Sequence, residues 1–209
     1  MQFGHVKRAT HRNTSWDKAR FEASMHRWVD MSEADFGVAL INDCKYGYDA
    51  LEQLVRISLV RGSTHPDPDA DQGEHRLRYG LYIHDGLADL AQVQRAAERF
   101  NNPVAVIGPV RSVKSASPTQ SQSYVSVDAP NVTVETVKKA ESSDALIVRV
   151  FEHANIRADA TLRFGLPLKS VRMVNLMEEN PGKSLPINDN AIALDLRPFE
   201  IVTLIIEVE

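Results

Sequence analysis

The chain has 209 residues, of which 43% are hydrophobic and 25% charged, so it is long enough for one or two domains with a sizeable core. A formal net charge of −4, without a basic cluster, excludes the surface that a nucleic-acid partner requires. Cys44 is the single cysteine, no apolar run nears the ~18 residues of a membrane span and no leader is recognisable, so we expect a cytoplasmic protein without membrane contact.

The first part of the chain is dominated by segments of strand length. Apolar and polar residues alternate over Lys18–Met25 and again over Arg76–His84, which is the period of two expected of a β-strand. A helix is the alternative for the first of these segments. The predicted strands here are Gln2–Arg8, Lys18–Asp30, Phe36–Ile41, Leu54–Arg61 and Arg76–His84.

One segment has the period of an α-helix. In Asp89–Phe100 the apolar residues recur at three- and four-residue spacing, and the sequence NNP follows as a stop signal. A short strand is predicted at Val104–Ile107. Ser112–Ser123 is rich in Ser, Thr and Gln, which is typical of a linker. We therefore predict two domains, residues 1–118 and 119–209.

The last part of the chain consists of strand-length segments separated by turn residues. Regular spacing of this kind indicates a β-sandwich or a barrel, and the fold class is therefore predicted to be mainly β. The segments richest in β-branched residues should form central strands. The predicted strands are Tyr124–Val127, Val132–Ala140, Ala145–His153, Ala158–Phe164, Val171–Met177, Ala191–Leu196 and Ile201–Val208.

A turn crowded with polar and aromatic residues directly follows the strand at Phe36–Ile41. Both faces of that strand are apolar, as expected inside a sandwich, and Asn42 and Gly47 supply turn chemistry. A polar loop that only solvates the end of a core strand is the alternative interpretation. The candidate site residues in this stretch are Asp43, Lys45, Tyr46, Tyr48 and Asp49.

Residues 65–75, HPDPDADQGEH, at first resemble a metal-binding loop. Asp67, Asp69 and Asp71 alternate as in a calcium loop, but the glycine comes one position late and no acidic residue holds the place of the bidentate glutamate. A His-Glu-x-x-His pattern is missing, and one cysteine excludes a thiolate zinc cage. The sequence also lacks the Gly-x-Ser-x-Gly elbow of serine hydrolases. We therefore predict neither a metal site nor a catalytic residue in this chain.

Aromatic residues are interspersed with Arg, Asp and His in the first part of the chain. Sugars are bound by such mixtures, because apolar ring faces pack on aromatic side chains and hydroxyls bond to planar polar groups. Core packing explains the same residues equally well. The aromatic residues in question are Trp16, Trp28, Tyr46, Tyr48, Tyr79 and Tyr82.

Three long motifs follow one another closely in the first part of the chain. They are HRNTSWDKARFEASMHRWVDMSE (residues 11–33), FGVALINDCKYGYD (residues 36–49) and HPDPDADQGEHRLRYGLYIH (residues 65–84). Together they resemble the C-terminal β region of glycoside hydrolase family 38, the α-mannosidases. Ala145–Glu152 and Arg197–Glu207 resemble the small β domain that ends these enzymes. The resemblance implies part of a β super-sandwich, of the galactose mutarotase-like type, followed by a small terminal β-sandwich domain.

The resemblance further implies that the chain is a fragment. In that family an N-terminal α/β barrel carries the zinc ion, the nucleophile and the acid that hydrolyse α-mannosides with retention. We therefore expect a non-catalytic chain without a cofactor of its own, which supports α-mannoside hydrolysis and carbohydrate binding by the full enzyme. Its partner would be the catalytic barrel, and the five candidate site residues would line or brace that contact.

Two alternatives of other classes are a free-standing carbohydrate-binding module and a structural or assembly domain. For the isolated chain we also expect a homodimer through residues 1–60, because a strand at Gln2–Arg8 would present an unpaired edge.

Overall fold

The computed structural model describes residues 1–86, 90–106, 108 and 122–209. The chain divides into two compact units. Unit 1 comprises Met1–Gln2 and Val6–Ala105, and unit 2 comprises Phe3–His5 and Val106–Glu209. The predicted domain boundary at residues 118 and 119 and most of the predicted linker lie outside the described residues. Neither described helix is long and apolar enough to cross a membrane.

Unit 1 contains two antiparallel three-stranded sheets and two helices. One sheet has the strand order β1-β4-β5 and the other β2-β3-β6. Its elements are α1 (Ser15–Ala19), β1 (Ala23–Ser24), β2 (Trp28–Ser32), β3 (Gly37–Asn42), β4 (Gly47–Leu51), β5 (Leu54–Ile57), β6 (Tyr79–His84) and α2 (Leu90–Asn101).

Helix α2 covers one face of the β2-β3-β6 sheet. Val93 and Ala97 on the helix are completely buried. The indole Nε1 of Trp28 on β2 donates a hydrogen bond of 3.0 Å to Gln94. Tyr82 on β6 donates one of 2.9 Å to the side chain of Gln92. The helix therefore covers the face that carries Trp28 and Tyr82.

The opposite face of the same sheet is apolar on all three strands. The strand register places Val29 and Met31 of β2, Val38 and Leu40 of β3, and Tyr79, Leu81 and Ile83 of β6 on this face, which we call the apolar face. The three side chains of β6 are 59%, 69% and 66% exposed. The other four are only partly buried. Unit 1 therefore leaves much of an apolar sheet surface open to solvent.

Unit 2 is a β-sandwich made of two antiparallel sheets. A three-stranded sheet has the order β12-β10-β7 and a four-stranded sheet the order β11-β13-β9-β8. Side chains of both sheets form one core, in which Leu162, Val171, Ile192, Leu196 and Leu204 are at most 1% exposed. The strands are β7 (Val125–Val127), β8 (Val132–Lys139), β9 (Leu146–Glu152), β10 (Ala158–Phe164), β11 (Leu168–Val174), β12 (Ala191–Leu196) and β13 (Ile201–Val208).

The mainly β fold class is confirmed, and so are all seven strands predicted in the last part of the chain, although β11 begins three residues before its predicted start. The two strands expected to be central, β9 and β13, lie inside the four-stranded sheet. The predicted helix is present as α2, which is described from Leu90.

The strand predicted at Gln2–Arg8 is wrong. Phe3 has a positive φ of 55°, which breaks an extended conformation. Its ring packs edge-on against Phe151 with the centroids 5.2 Å apart, and Nδ1 of His5 lies 3.0 Å from the carbonyl oxygen of His153. Side-chain contacts within unit 2, rather than strand pairing, therefore hold this segment.

The single strand predicted at Lys18–Asp30 is also wrong. The segment contains the end of helix α1, the two-residue strand β1 and the start of β2. Helix α1 forms because Thr14 and Asp17 make a reciprocal capping box: the Thr14 side chain accepts from the Asp17 N–H, and the Asp17 carboxylate accepts from the Thr14 N–H.

Two further strand predictions differ from the structure. Residues 104–106 form no strand, and Val104 and Val106 are each 90% exposed; Ile107 lies outside the described residues. Strand β4 was not predicted, because its first residues read as the end of a turn.

Candidate functional site

A buried asparagine organises the turn between β3 and β4. Asn42 is 1% exposed, and its Nδ2 donates a hydrogen bond of 2.8 Å to the carbonyl oxygen of His26. Its Oδ1 accepts one of 2.7 Å from the Lys45 N–H, and its backbone oxygen accepts one from Nδ2 of Asn101. The sequence predicts only that Asn42 is a turn residue. A buried amide group must keep its hydrogen-bond partners, and these hydrogen bonds hold the turn in one shape.

Asp43 in this turn bonds to neighbours in its own unit. Arg78 donates to the Asp43 carboxylate from Nε at 3.0 Å and from its backbone N–H at 3.3 Å. A hydrogen bond from the Cys44 thiol, together with Arg78, holds the pKa of Asp43 below its usual value. The same hydrogen bond raises the pKa of the Cys44 thiol. Asp43 therefore braces the turn, and the exposed Cys44 is a weak nucleophile.

Lys45 and Tyr46 have free functional groups. Within the described part of the chain, the ammonium group of Lys45 makes no ion pair or hydrogen bond. Tyr46 is 48% exposed, and its ring centroid lies 5.6 Å from that of His26. Of the candidate site residues in the turn, these two are available to contact another molecule.

Tyr48 and Asp49 lie on strand β4, away from the turn. Tyr48 is 7% exposed, and its hydroxyl accepts a hydrogen bond of 3.0 Å from Nη1 of Arg8. The Asp49 carboxylate accepts from Nε and Nη2 of Arg56 at 2.8 and 2.6 Å and from Arg12 at 3.2 Å. Arg56 first and then Arg12 lower the pKa of Asp49. The five candidate residues therefore form two groups, three in the turn and two on β4.

Tyr48 and Asp49 line a cleft of about 560 Å³ in unit 1, which we call the β4 cleft. The N-terminal segment from Val6 to Arg12 and the region of α1 and β1 form its other walls. Its basic lining residues are Lys7, Arg8, Arg12 and Arg20, and its acidic ones are Asp17, Glu22 and Asp49. The sequence alone does not reveal this cleft, because its walls come from segments far apart in the chain.

Hydrogen bonds within the loop and from nearby Gly62 hold the acidic segment at residues 65–75. Asp67 accepts from the Asp69 N–H at 2.9 Å, and Asp71 accepts from the Gly62 N–H at 3.1 Å. Among the described residues, His, Cys, Asp and Glu side chains nowhere form a group of three or more that could hold a metal ion. The described residues therefore offer no site of this kind for a zinc ion, which the family resemblance implies for the barrel.

Two family models match the chain. The model of the glycosyl hydrolases family 38 C-terminal domain matches residues 1–69. The model of the glycosyl hydrolases family 38 C-terminal beta sandwich domain matches residues 131–204. The first match covers the β4 cleft and the turn, and the second covers most of the sandwich of unit 2.

Curated relatives match nearly the whole chain. Alpha-mannosidase 2C1 from Homo sapiens is 40% identical over 210 residues, which cover 99% of this chain and 20% of that protein. Alpha-mannosidase G from Dictyostelium discoideum is 38% identical, over 97% of this chain and 19% of that protein. This chain thus spans about one fifth of the length of these relatives.

A solved structure of an alpha-mannosidase from Enterococcus faecalis V583 has the same fold. It superposes with a TM-score of 0.76 at 23% identity, over 98% of this chain and 23% of that one.

Proposed function

Because the chain belongs to glycoside hydrolase family 38, as a C-terminal region of that family, we propose that it is the non-catalytic β-sandwich part of an α-mannosidase. It supports the hydrolysis of α-mannosides by packing against the rest of the same enzyme, which supplies a catalytic α/β barrel. The relatives are named alpha-mannosidases, and this chain spans about one fifth of their length, which supports this assignment.

The apolar face of unit 1 carries the proposal. It presents seven apolar side chains, and the three on edge strand β6 are more than half exposed. Large contiguous apolar patches are rare on monomeric proteins, and they often mark interaction sites. A sheet with a helix on one face and an open apolar second face is an incomplete layered structure, which a further layer would complete. The rest of the enzyme supplies that layer.

The turn after β3 provides a polar contact to the same partner. Lys45 and Tyr46 project from a turn whose shape Asn42 and Asp43 maintain. A rigid turn with free side chains loses little conformational entropy when it is bound. Lys45 and Tyr46 therefore contact the barrel, whereas Tyr48 and Asp49 brace the unit from inside.

The chemistry of hydrolysis belongs to the barrel in this proposal. The zinc ion and the carboxyl groups that act on the glycosidic bond reside there, and we assign no reaction step to the present residues. We place the enzyme in the cytoplasm, because the one cysteine of this chain is a free thiol on the surface, as is usual in a reducing compartment.

A chimera tests the proposal. In it, this chain replaces the matching one fifth of Alpha-mannosidase 2C1 from Homo sapiens. We expect the chimera to hydrolyse an aryl α-mannoside and the 209-residue chain alone to be inactive. The double substitution Leu81→Glu and Ile83→Glu in the chimera should abolish activity, because it places two charges in a buried interface.

The matched control is Leu54→Glu, at a residue that is 52% exposed on strand β5 and outside the apolar face. It should leave activity unchanged. Hydrolysis by the chain alone would disprove the non-catalytic assignment, and full activity of the doubly substituted chimera would disprove packing through the apolar face.

A further inference from the structure

The β4 cleft has an excess of positive charge that the proposed function does not use. Arg8 is one of its basic lining residues. Its Nη1 donates hydrogen bonds of 2.6 Å to the carbonyl oxygen of Ser24 and of 3.0 Å to the Tyr48 hydroxyl. Its guanidinium carbon lies 5.7 Å from the centroid of the Tyr48 ring. These partners are neutral, so they fix the position of the guanidinium without compensating its charge.

Two more basic side chains of the cleft are free. Lys7 and Arg20 are exposed, and neither side chain forms an ion pair or hydrogen bond with any residue that the structure describes. Arg12 differs from them, because it contacts Asp49 at 3.2 Å. Lys7, Arg8 and Arg20 therefore share one cleft without a carboxylate partner.

The carboxylates of the cleft bond to groups other than Lys7, Arg8 and Arg20. Asp49 is shared between Arg12 and Arg56. Asp17 accepts hydrogen bonds from the N–H and the hydroxyl of Thr14. Glu22 accepts one of 2.6 Å from the Ser58 hydroxyl.

The charge balance of the cleft favours an anionic ligand. Four basic side chains and three carboxylates line the cleft, which leaves an excess of one positive charge. Arg56, which pairs with Asp49 from outside the lining, adds a second. A phosphate monoester carries roughly −1.5 to −2 at neutral pH, and arginine binds phosphate through charge-assisted hydrogen bonds. The volume of about 560 Å³ is within the roughly 300–1,000 Å³ of small-molecule sites and exceeds the needs of a phosphate group alone.

We propose that the β4 cleft binds a phosphate monoester, with the phosphate on Arg8, Lys7 and Arg20 and a sugar-sized group in the remaining space. This site is separate from the apolar face, and it does not depend on an association of the chain with a catalytic barrel.

Calorimetric titration of the 209-residue chain tests the site. The probes are mannose 6-phosphate, inorganic phosphate and mannose, in a phosphate-free buffer of low ionic strength. We expect mannose 6-phosphate to bind more tightly than inorganic phosphate and mannose to show no binding. Equal affinity for the two phosphates would support the phosphate contacts and rule out the subsite for a sugar-sized group.

Substitutions assign the binding to the cleft. Arg20→Gln and Lys7→Gln should each weaken the binding of mannose 6-phosphate about tenfold, the loss expected for one charge-assisted contact. Both side chains lack partners among the described residues, so the melting temperature should not change. Arg61→Gln is the matched control, because Arg61 is an exposed arginine outside the cleft.

Two results would overturn the proposal. One is the absence of heat with both phosphate probes. The other is unchanged affinity for mannose 6-phosphate in the Lys7→Gln and Arg20→Gln variants. Neither result affects the role of the apolar face, which the chimera tests separately.

Discussion

The imidazole ring of His84 occupies the space that a side chain on Gly37 would need. The two residues are paired across β3 and β6. A Cβ atom on residue 37 would lie 2.1 Å from Cε1 of His84. The ring cannot easily move, because its Nε2 is 2.8 Å from Oδ1 of Asp30 and both side chains are buried. Close packing, rather than backbone freedom, thus requires glycine here.

Gly37→Ala should therefore destabilise the chain. We expect a loss of about 1–3 kcal/mol in the free energy of unfolding, the range of overpacked cores, measured by urea denaturation. Gly80→Ala is the matched control on the same face of the sheet, because its Cβ would lie 3.5 Å from the Phe100 ring, an ordinary contact. Equal unfolding midpoints for the two variants would contradict a steric role of His84.

Substitution of Asp43 or Lys45, the two charged residues of the turn, should lower the activity of the chimera and leave the isolated chain folded. Lys45→Ala should leave the melting temperature of the chain unchanged, because its ammonium group has no partner in the described structure. Asp43→Ala removes an exposed ion pair with Arg78, so a shift of at most a few degrees is expected. In the chimera both changes should lower aryl α-mannoside hydrolysis. Unfolding of the isolated chain by both would instead make these residues purely structural.

The sandwich of unit 2 was predictable because its strands alternate and are rich in β-branched residues. Strands β10, β12 and β13 agree with their predicted bounds. Unit 1 was less predictable, because long-range contacts decide its structure. Asp49 belongs to a strand, and arginines seven and 37 positions away hold its carboxylate. Short-range patterns do not encode such partners, and the β4 cleft was missed for the same reason.

The carboxylate of Asp49 should make unit 1 sensitive to acid. Arg56 and Arg12 lower the pKa of Asp49 in the folded chain below its ordinary value of 3.8. The full stabilisation by this ion pair is therefore present above about pH 4. It is lost as the pH falls through the pKa that Asp49 has in the folded chain. We expect Asp49→Asn to be less stable than the parent at pH 7, and the difference to shrink below pH 4. Urea midpoints that differ equally at both pH values would contradict this role.

Glu152 should be essential to the sandwich of unit 2. This completely buried carboxylate accepts hydrogen bonds from the N–H groups of Ala154, Asn155 and Phe199 and from the Asn131 amide. Burial raises the pKa of Glu152, but these hydrogen bonds together lower it below its usual value.

Replacement of Glu152 by Gln puts an NH₂ group against at least one of those donors. We expect a loss of about 2 kcal/mol in the free energy of unfolding, the cost of an unsatisfied buried polar group. Glu135→Gln, on strand β8, is the control, because this residue is only partly buried. Wild-type stability of Glu152→Gln in urea would show that the hydrogen bonds are dispensable.

The isolated chain should self-associate, most simply as a two-fold dimer. The dimer interface predicted within residues 1–60 rested on a strand at Gln2–Arg8, and that segment is not a strand. The apolar face offers a better surface, because Leu81 and Ile83 on the edge strand β6 are open to water and a second copy would bury them.

Light scattering over a concentration series should show a dimer, which Leu81→Glu converts to a monomer. Val137→Glu, at a residue that is 52% exposed on strand β8, should leave the dimer intact. A strictly monomeric parent chain, or a dimer that only Val137→Glu disrupts, would rule out association through the apolar face.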